Sequence, residues 1–243
     1  MALYIGCSAE KSFIPEPVGG VSVGIGIYEL VSEAEERQRT LEEIAEFEPN
    51  IEDIIYFHEN NKERCYESLD RVFGISSGEF EKYWNSLSKK KKTFAQTSMP
   101  ERCLGKGKKS VIIIFPNVFE QYGLNELKSI VNHHESVHAL DHANGIRLCG
   151  EKILPSKVGD GMYLNMLELR AFHNQLKEIE NGFRVSERFK DLLIRHYNFY
   201  FNKLLLWKFQ GHKYATAAIN ETLFMPSKSL KTGKLYLMKR PQR

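Results

Sequence analysis

Residues 125–145 constrain the chain more than any other segment, because they predict a helix with a strongly polar stripe. The apolar side chains of this segment recur at the spacing of a helix: Leu127, Ile130, Val131, Val137 and Leu140. Asn125 can cap the start of the helix, and Gly145 suits the position just after its end. Inside it, the sequence HESVH (134–138) places two histidines four residues apart. Side chains at that spacing share one helix face, so both imidazoles can reach a single ion.

HESVH has the pattern H-E-x-x-H, in which two neutral histidines bind zinc through nitrogens at ~2.0–2.1 Å. Glu135 points about 100° around the helix from His134. It is too far round to be an ideal ligand, yet close enough to take a proton from water beside the metal, as the general base of a metallopeptidase does. The alternative is a polar helix face that happens to carry two histidines. The buried strand predicted at 110–115, which Pro116 ends, precedes the motif and favours the metal site.

A catalytic zinc needs a third protein ligand and one open position. His142 lies eight residues beyond His134, about 12 Å along the helix axis, and cannot share the ion unless the helix breaks. A second helix is predicted at about 162–181, and Glu168 falls in the middle of its apolar face. A buried carboxylate is costly unless a cation faces it, so Glu168 is the predicted third ligand. The alternative is that Glu168 pairs with a buried arginine or lysine.

The HESVH motif followed by Glu168 in ELRAF resembles the gluzincin group of zinc metallopeptidases, in which a glutamate on a later helix completes the site. The resemblance covers about residues 110–175. The metzincin pattern fits less well, because it needs glycine at 141 and a metal ligand at 144, where this chain has Asp141 and Asn144. Larger gluzincins often carry an aspartate four residues after the third ligand, and that position is Phe172 here. Asp141 is therefore the nearest candidate to accept an imidazole N–H from a ligand histidine.

The resemblance implies a single α+β domain of zincin type over residues 1–243. In such a domain a small twisted sheet that includes 110–115 packs on the active-site helix, and C-terminal helices bring Glu168 to the metal. It also implies a zinc-dependent endopeptidase with one Zn²⁺ per chain, the ligands His134, His138 and Glu168, and Glu135 as the base. The short length and the sequences HALDHANG and ELRA look most like small bacterial effector metalloproteases of the NleD-like type. Those proteins are injected into host cells and cut host signalling kinases.

Several side chains stay open as weaker candidates. Asp160, at the start of the second helix, and His173 rival Glu168 as the third ligand. The hydrolysis also needs a donor for the oxyanion. The sequence offers five such donors: Tyr163, His173, His196, Tyr197 and Tyr214. The alternative function is a non-catalytic interaction protein with a structural zinc, or none, whose basic tail docks an acidic partner.

The rest of the chain predicts mainly helices. A strand is predicted at 20–30 and a loop at 93–109. Helices are predicted at 32–47, 51–59, 62–73, 77–92 and from Ser186 to about Phe209. Ser32 and Glu35 form a capping box at the start of the first of these, and the aromatic residues of the last predict a core stripe.

The composition of the chain limits the cell compartments and the classes of partner that can be expected. The chain has no apolar run of 18 residues and no basic region at its start, so neither a membrane span nor a Sec signal peptide is expected. The four cysteines are scattered, which predicts free thiols. These features suit a cytoplasmic protein, or one that leaves its cell by a route without a signal peptide. The basic runs, including a tail at 227–243 whose composition allows flexibility, match no nucleic-acid module, and the expected partner is a protein or peptide substrate.

Overall fold

The computed structural model describes residues 26–45, 49–89 and 93–222. This part of the chain is a mixed α+β structure, mostly helical, with two small sheets, which confirms the α+β class. The chain divides into two compact units, Met1–Asn144 and Gly145–Arg243. The single domain expected from the sequence stays a prediction. The basic tail and the first part of the predicted strand at 20–30 lie outside the described residues.

In its described residues the first unit carries helices, three strands and one π-helical segment. In chain order they are α1 Gly26–Ile44, β1 Ile51–Tyr56, α2 Lys62–Phe73, α3 Ser77–Leu87, β2 Ala95–Ser98, β3 Ser110–Ile114, α4 Pro116–Gln121, α5 Leu124–Lys128, the π-helix Ser129–Glu135 and α6 Ser136–Asn144. The structure confirms the helix predicted at 62–73 and, to within one residue, the strand predicted at 110–115.

The three strands form one sheet in the order β1-β3-β2, with β1 parallel and β2 antiparallel to β3. Ile54 of β1 and Thr97 of β2 both pair with Ile112 of β3. Side chains that lie opposite one another in a sheet share a face, so these three point the same way. The neighbours Gln96 and Ser98 point to the other face. Thr97 therefore belongs to the face that meets the π-helix, because its hydroxyl bonds to Glu135.

The other face of the sheet is covered by α2 and α3 through polar contacts. Ser98 and Gln96 both bond to the hydroxyl of Tyr83 on α3. Asp53 of β1 accepts two hydrogen bonds from Arg64 of α2, at 3.0 and 2.7 Å. These contacts satisfy the polar side chains of two buried strands and hold the sheet between helices.

The edge of β1 is covered by a side chain of α1. Gln38 is 6% exposed, and its Nε2 donates to the carbonyl of Ile54 at 2.9 Å. Its Oε1 accepts from the backbone N–H of Tyr56 at 2.8 Å. One amide group thus bonds to the strand as a neighbouring strand would, which protects an edge that could otherwise pair with another chain.

Replacing Gln38 by leucine is expected to lower the free energy of unfolding by about 2–4 kcal/mol. The substitution keeps the volume but leaves the Ile54 carbonyl and the Tyr56 N–H buried without these partners, and each such group costs about 1–3 kcal/mol. Urea unfolding followed by circular dichroism measures the loss. Thr40→Val on the same helix removes an exposed hydroxyl and should cost less than ~0.5 kcal/mol. Equal effects of the two substitutions would contradict this role of Gln38.

Two elements of the first unit contradict the sequence predictions. The segment predicted as helix at 51–59 is strand β1, and the loop predicted at 93–109 contains strand β2. Apolar residues at 51, 54 and 55 fit a helical period, but a strand buried on both faces carries such runs as well. Polar side chains fill β2, so no alternating apolar pattern marks it.

The starts of three helices also differ from the predictions. Helix α1 begins at Gly26, so residues 26–30 are not a strand, and Ser32 lies inside the helix instead of capping it. The capping box of the structure is at Ser76 and Glu79, at the start of α3, which ends at Leu87 and not at 92. Helix α5 begins after Gly123, so Asn125 is not a cap.

The described part of the second unit, up to residue 222, is a hairpin followed by helices. Its elements are β4 Ile146–Leu148, β5 Glu151–Ile153, α7 Pro155–Val158, α8 Asp160–Glu180, α9 Glu187–Phe209 and α10 Lys213–Glu221. Helix α9 agrees to within one residue with the helix predicted from Ser186 to about Phe209, and Ser186 caps it by accepting a hydrogen bond from the Phe189 N–H. Helix α8 spans the predicted second helix, but Gly159 occupies its N-cap and Asp160 is its first residue.

The aromatic stripe of α9 is only partly in the core. Phe189 and Tyr197 are buried, whereas Phe199 and Phe209 are 39% and 77% exposed. The helix is long, and neighbours in the second unit cover only part of its circumference. The helical spacing of the aromatic residues therefore predicted a wider buried face than α9 has.

The structure bears on two expectations from the composition, namely the lack of a membrane span and the free cysteine thiols. In the part of the chain that the structure describes, no helix combines the length and apolarity that a membrane crossing requires. Cys65, Cys103 and Cys149 are free thiols, while Cys7 lies outside the described residues.

Candidate metal site

The HESVH motif lies where a π-helix passes into an α-helix. His134 and Glu135 are the last two residues of the π-helix, and His138 is in the first turn of α6. The uninterrupted α-helix predicted from the sequence is therefore wrong over 129–135. Asn132 anchors this segment, because its side-chain amide donates to the carbonyl of Ile44 at 2.9 Å. Short π-helices are rare and occur frequently at functional sites.

The two imidazoles of the motif converge. Their Nε2 atoms are 3.1 Å apart, and both His134 and His138 are 2% exposed. Two nitrogens bound to one tetrahedral zinc, each at ~2.0–2.1 Å, would lie about 3.3 Å apart. Burial lowers the pKa of His138 well below its ordinary range, and the neighbouring His134 and His142 lower it further. A histidine that stays neutral is the form that binds a metal.

Glu168 completes a group that could hold a metal ion. One ligand atom each of His134, His138 and Glu168 lies within 4.8 Å of the others, and all three residues are buried. Glu168 is 1% exposed, so its position within a buried helix face agrees with the sequence prediction. A cation would offset the cost of burying this carboxylate when it is ionised. Two imidazoles and a carboxylate suit zinc and also iron(II), so the donors do not identify the metal.

Glu135 is buried beside this group but is not a member of it. It is 1% exposed, and its Oε2 accepts a hydrogen bond from the Thr97 hydroxyl at 2.5 Å. Its Oε1 has no hydrogen-bond partner among the described residues. Burial raises the pKa of Glu135 to about 7, although hydrogen bonds from the side chain and backbone of Thr97 act in the opposite direction. A carboxyl group with such a pKa can accept and release a proton near neutral pH.

Two further residues of α6 lie near the motif. His142 is 1% exposed, its ring is stacked 6.2 Å from that of His138, and burial lowers its pKa to about 4. Asp141 is 2% exposed. Neither residue belongs to the group of three ligands found in the described part of the chain, and for His142 this agrees with its exclusion from the ion by helix geometry. The predicted contact of Asp141 with a ligand imidazole stays a prediction.

The rival ligands on α8 do not join the group found among the described residues. Asp160 is exposed at the start of the helix. His173 is half-buried, and burial is the largest cause that lowers its pKa, followed by the nearby Lys177 and Arg170. Among the three candidates on α8, Glu168 is the one that belongs to the group that could hold a metal ion.

The oxyanion candidates occupy different surroundings. Tyr163 is fully buried on α8, and the ring of His196 stacks on Phe172 at 5.2 Å. The hydroxyl of Tyr197 donates to the carbonyl of Thr222 at 2.6 Å, and that of Tyr214 donates to Glu151 at 2.8 Å. Each of these two hydroxyls has one hydrogen to donate, and it is used in the bond described. The choice of an oxyanion donor among the candidates stays a prediction.

Thr97 is the residue of this site that the sequence analysis missed. It lies in a polar stretch predicted as a loop, and 38 positions separate it from Glu135. A threonine in such a stretch has no local feature that points to a partner so distant along the chain. The contact of Thr97 with Glu135 becomes apparent only in the folded protein, where strand β2 pairs with β3.

Comparison of the chain with protein families, with curated proteins and with solved structures finds no match. The function of the site must therefore be inferred from the residues of this chain alone. They define an α+β protein with a buried group of two histidines and one carboxylate, and with a second buried carboxylate adjacent to it in the sequence.

Proposed function

We propose that the protein is a zinc-dependent peptidase of gluzincin type that cuts peptide bonds of a protein substrate. The observation that carries the proposal is the buried group of His134, His138 and Glu168, with the carboxylate of Glu135 next to it in the chain. Three protein ligands leave one coordination position open, which is the arrangement of catalytic zinc sites. The H-E-x-x-H pattern favours zinc over other metals that accept the same donors.

Each residue of the motif has a distinct task in this proposal. When bound, zinc would polarise the substrate carbonyl and acidify a neighbouring water. Glu135 accepts the proton of the attacking water and passes it to the leaving amine. Burial of Glu135, which raises its pKa to about 7, suits a group that must do both near neutral pH. His134, His138 and Glu168 hold the metal, and a donor among the oxyanion candidates stabilises the developing charge.

The proposal extends to a zincin-like fold. In the first unit, β2 lies against the π-helix that carries His134 and Glu135, and β3 lies against α6. A small sheet next to the active-site helix is what the resemblance to gluzincins implies. The proposed substrate is a host protein, and the proposed place of action is the cytoplasm, either of the cell that makes the protein or of a host cell that receives it. Both parts rest on the resemblance to bacterial effector metalloproteases.

The competing function is a non-catalytic interaction protein with a structural zinc. A structural site is closed by four protein ligands. In the described residues the group has three members, and neither His142 nor His173 is a fourth. A structural site also has no use for a buried carboxylate in the place of Glu135. Both points favour the catalytic proposal.

Metal analysis of the purified protein is the first test, and about one equivalent of zinc per chain is expected. His134→Ala and His138→Ala should each remove the stoichiometric zinc, because each deletes one of three ligands. His133→Ala is the matched control, since it removes a half-buried imidazole from the same π-helix but not from the ligand group. A full equivalent of zinc in the double variant of His134 and His138 would refute the site, and stoichiometric iron would assign it to another class of enzyme.

A further inference from the structure

We infer that Thr97 is a positioning residue that orients the carboxylate of Glu135 for proton transfer, an inference that rests on the proposed peptidase function. Thr97 is 1% exposed on β2 and does not belong to the metal-ligand group. It acts on the reaction only through Glu135, so it is not itself a catalytic residue.

The hydroxyl of Thr97 makes two contacts with Glu135. The Oγ1 atom of Thr97 lies 2.5 Å from Oε2 of Glu135 and 3.2 Å from the backbone carbonyl oxygen of the same residue. A hydroxyl has one hydrogen to donate, and the shorter contact with the carboxylate is the stronger bond. The donated hydrogen therefore restrains the side chain of Glu135, and the hydroxyl oxygen also lies next to the backbone carbonyl of that residue.

Thr97 can hold Glu135 firmly because its own strand is held both along the sheet and on the opposite face. Along the sheet, Thr97 pairs with Ile112 of β3. On the opposite face, the adjacent Gln96 and Ser98 bond to Tyr83 of α3. A group supported by a packed strand keeps its geometry better than one on a loop, which is the requirement for a residue that positions a catalytic base.

The two carboxylate oxygens of Glu135 therefore have different roles. Oε2 is engaged by Thr97, whereas Oε1 has no hydrogen-bond partner among the described residues. The Thr97 bond restricts rotation about the last side-chain torsion of Glu135, so that Oε1 is the oxygen left to take the proton. Without this bond the carboxylate can turn about a broad, two-fold torsion. A misplacement of about 1 Å in such a group can cost ~100-fold in rate.

The experiment compares isosteric variants of two neighbouring buried hydroxyls. Thr97→Val removes the hydroxyl and keeps the backbone, and Thr97→Ser restores a hydroxyl. Ser98→Ala is the matched control, since Ser98 is 1% exposed on the same strand but bonds to Tyr83 on the other face. Each protein is measured for zinc content, thermal unfolding, and kcat and KM on a peptide chosen from a proteome-derived library cleaved by the wild type.

For Thr97→Val we expect full zinc content and a kcat lowered between about 10-fold and 100-fold, with KM changed less than about twofold. Thr97→Ser should recover most of the kcat, and Ser98→Ala should lose stability without a comparable loss of kcat. The inference is overturned if Thr97→Val loses no more kcat than Ser98→Ala, or if the serine variant is as slow as the valine variant.

A crystal structure of the zinc-loaded Thr97→Val protein provides a readout that does not depend on activity. The Glu135 carboxylate should occupy a changed or second orientation, and an unchanged single orientation would contradict the inference. Failure of the proposed function looks different. If the wild type cleaves no peptide, the peptidase proposal falls together with the catalytic meaning of Thr97, whereas the orientation of Glu135 is still decided by the structure.

Discussion

The Glu135→Gln protein is expected to fold, to keep its zinc and to lose peptide hydrolysis. Glutamine has the size of glutamate and can still accept the hydrogen bond from Thr97 through its carbonyl oxygen. It cannot accept the proton of the attacking water, and loss of general base catalysis lowers rates by ~10²–10⁴-fold. The burial that raises the pKa of Glu135 to about 7 disfavours the charged form, so a neutral amide should not destabilise the fold.

Cleavage of a proteome-derived peptide library, scored by mass spectrometry of the new termini, measures the loss. Glu126→Gln is the matched control, because Glu126 is also buried and lies on α5 just before the π-helix. That control should keep hydrolysis close to the wild-type rate. Wild-type activity in the Glu135→Gln protein would show that Glu135 is not the base and would remove the main argument for a peptidase.

Glu168→Gln is expected to weaken zinc binding by more than about 100-fold while leaving the fold intact. The amide fills the same space but is a poor zinc ligand, and loss of a ligand should exceed the 10–100-fold cost of losing an outer partner of a ligand. Glu168→Ala should weaken zinc binding as strongly and also reduce stability, because it leaves a cavity on a buried helix face. Competition with a chelating dye of known zinc affinity measures both variants.

A loosened core could imitate the loss of a ligand, and Leu167→Ala distinguishes the two. Leu167 precedes Glu168 on α8 and is fully buried, so its truncation should cost about 2–5 kcal/mol of stability. It removes no ligand, and the folded variant should bind zinc with nearly wild-type affinity. If Leu167→Ala weakens zinc as much as Glu168→Gln does, Glu168 acts through packing and is not a ligand.

Zinc should also stabilise the wild type more than the Glu168→Gln protein. A ligand that binds only the folded state adds about 2.7 kcal/mol at a free concentration 100 times its Kd. Addition of a chelator should therefore lower the Tm of the wild type clearly and that of the variant little. An equal decrease of the Tm in both proteins would mean that the metal removed by the chelator is not bound through Glu168.

Features that depend on neighbours within a few turns of the chain can be predicted from the sequence. Such features are the helix at 62–73, the buried strand at 110–115 and the helix from Ser186 to about Phe209, and the structure confirms all three to within one residue. The pairing of His134 with His138 follows from the same local spacing. Glu168 could be singled out because a carboxylate interrupting an apolar helix face is costly to bury.

The folded structure is needed to find the strands 51–56 and 95–98, the π-helix and the partner of Glu135. Each depends on groups far apart in the sequence: β1 is a strand because β3 pairs with it, and β2 is buried because helices cover its polar side chains. Asn132 meets Ile44 across 88 positions, and Thr97 meets Glu135 across 38. Contacts at such separations leave no periodic pattern in either segment. They depend on which segments pack together in the folded chain, and the local sequence does not carry that information.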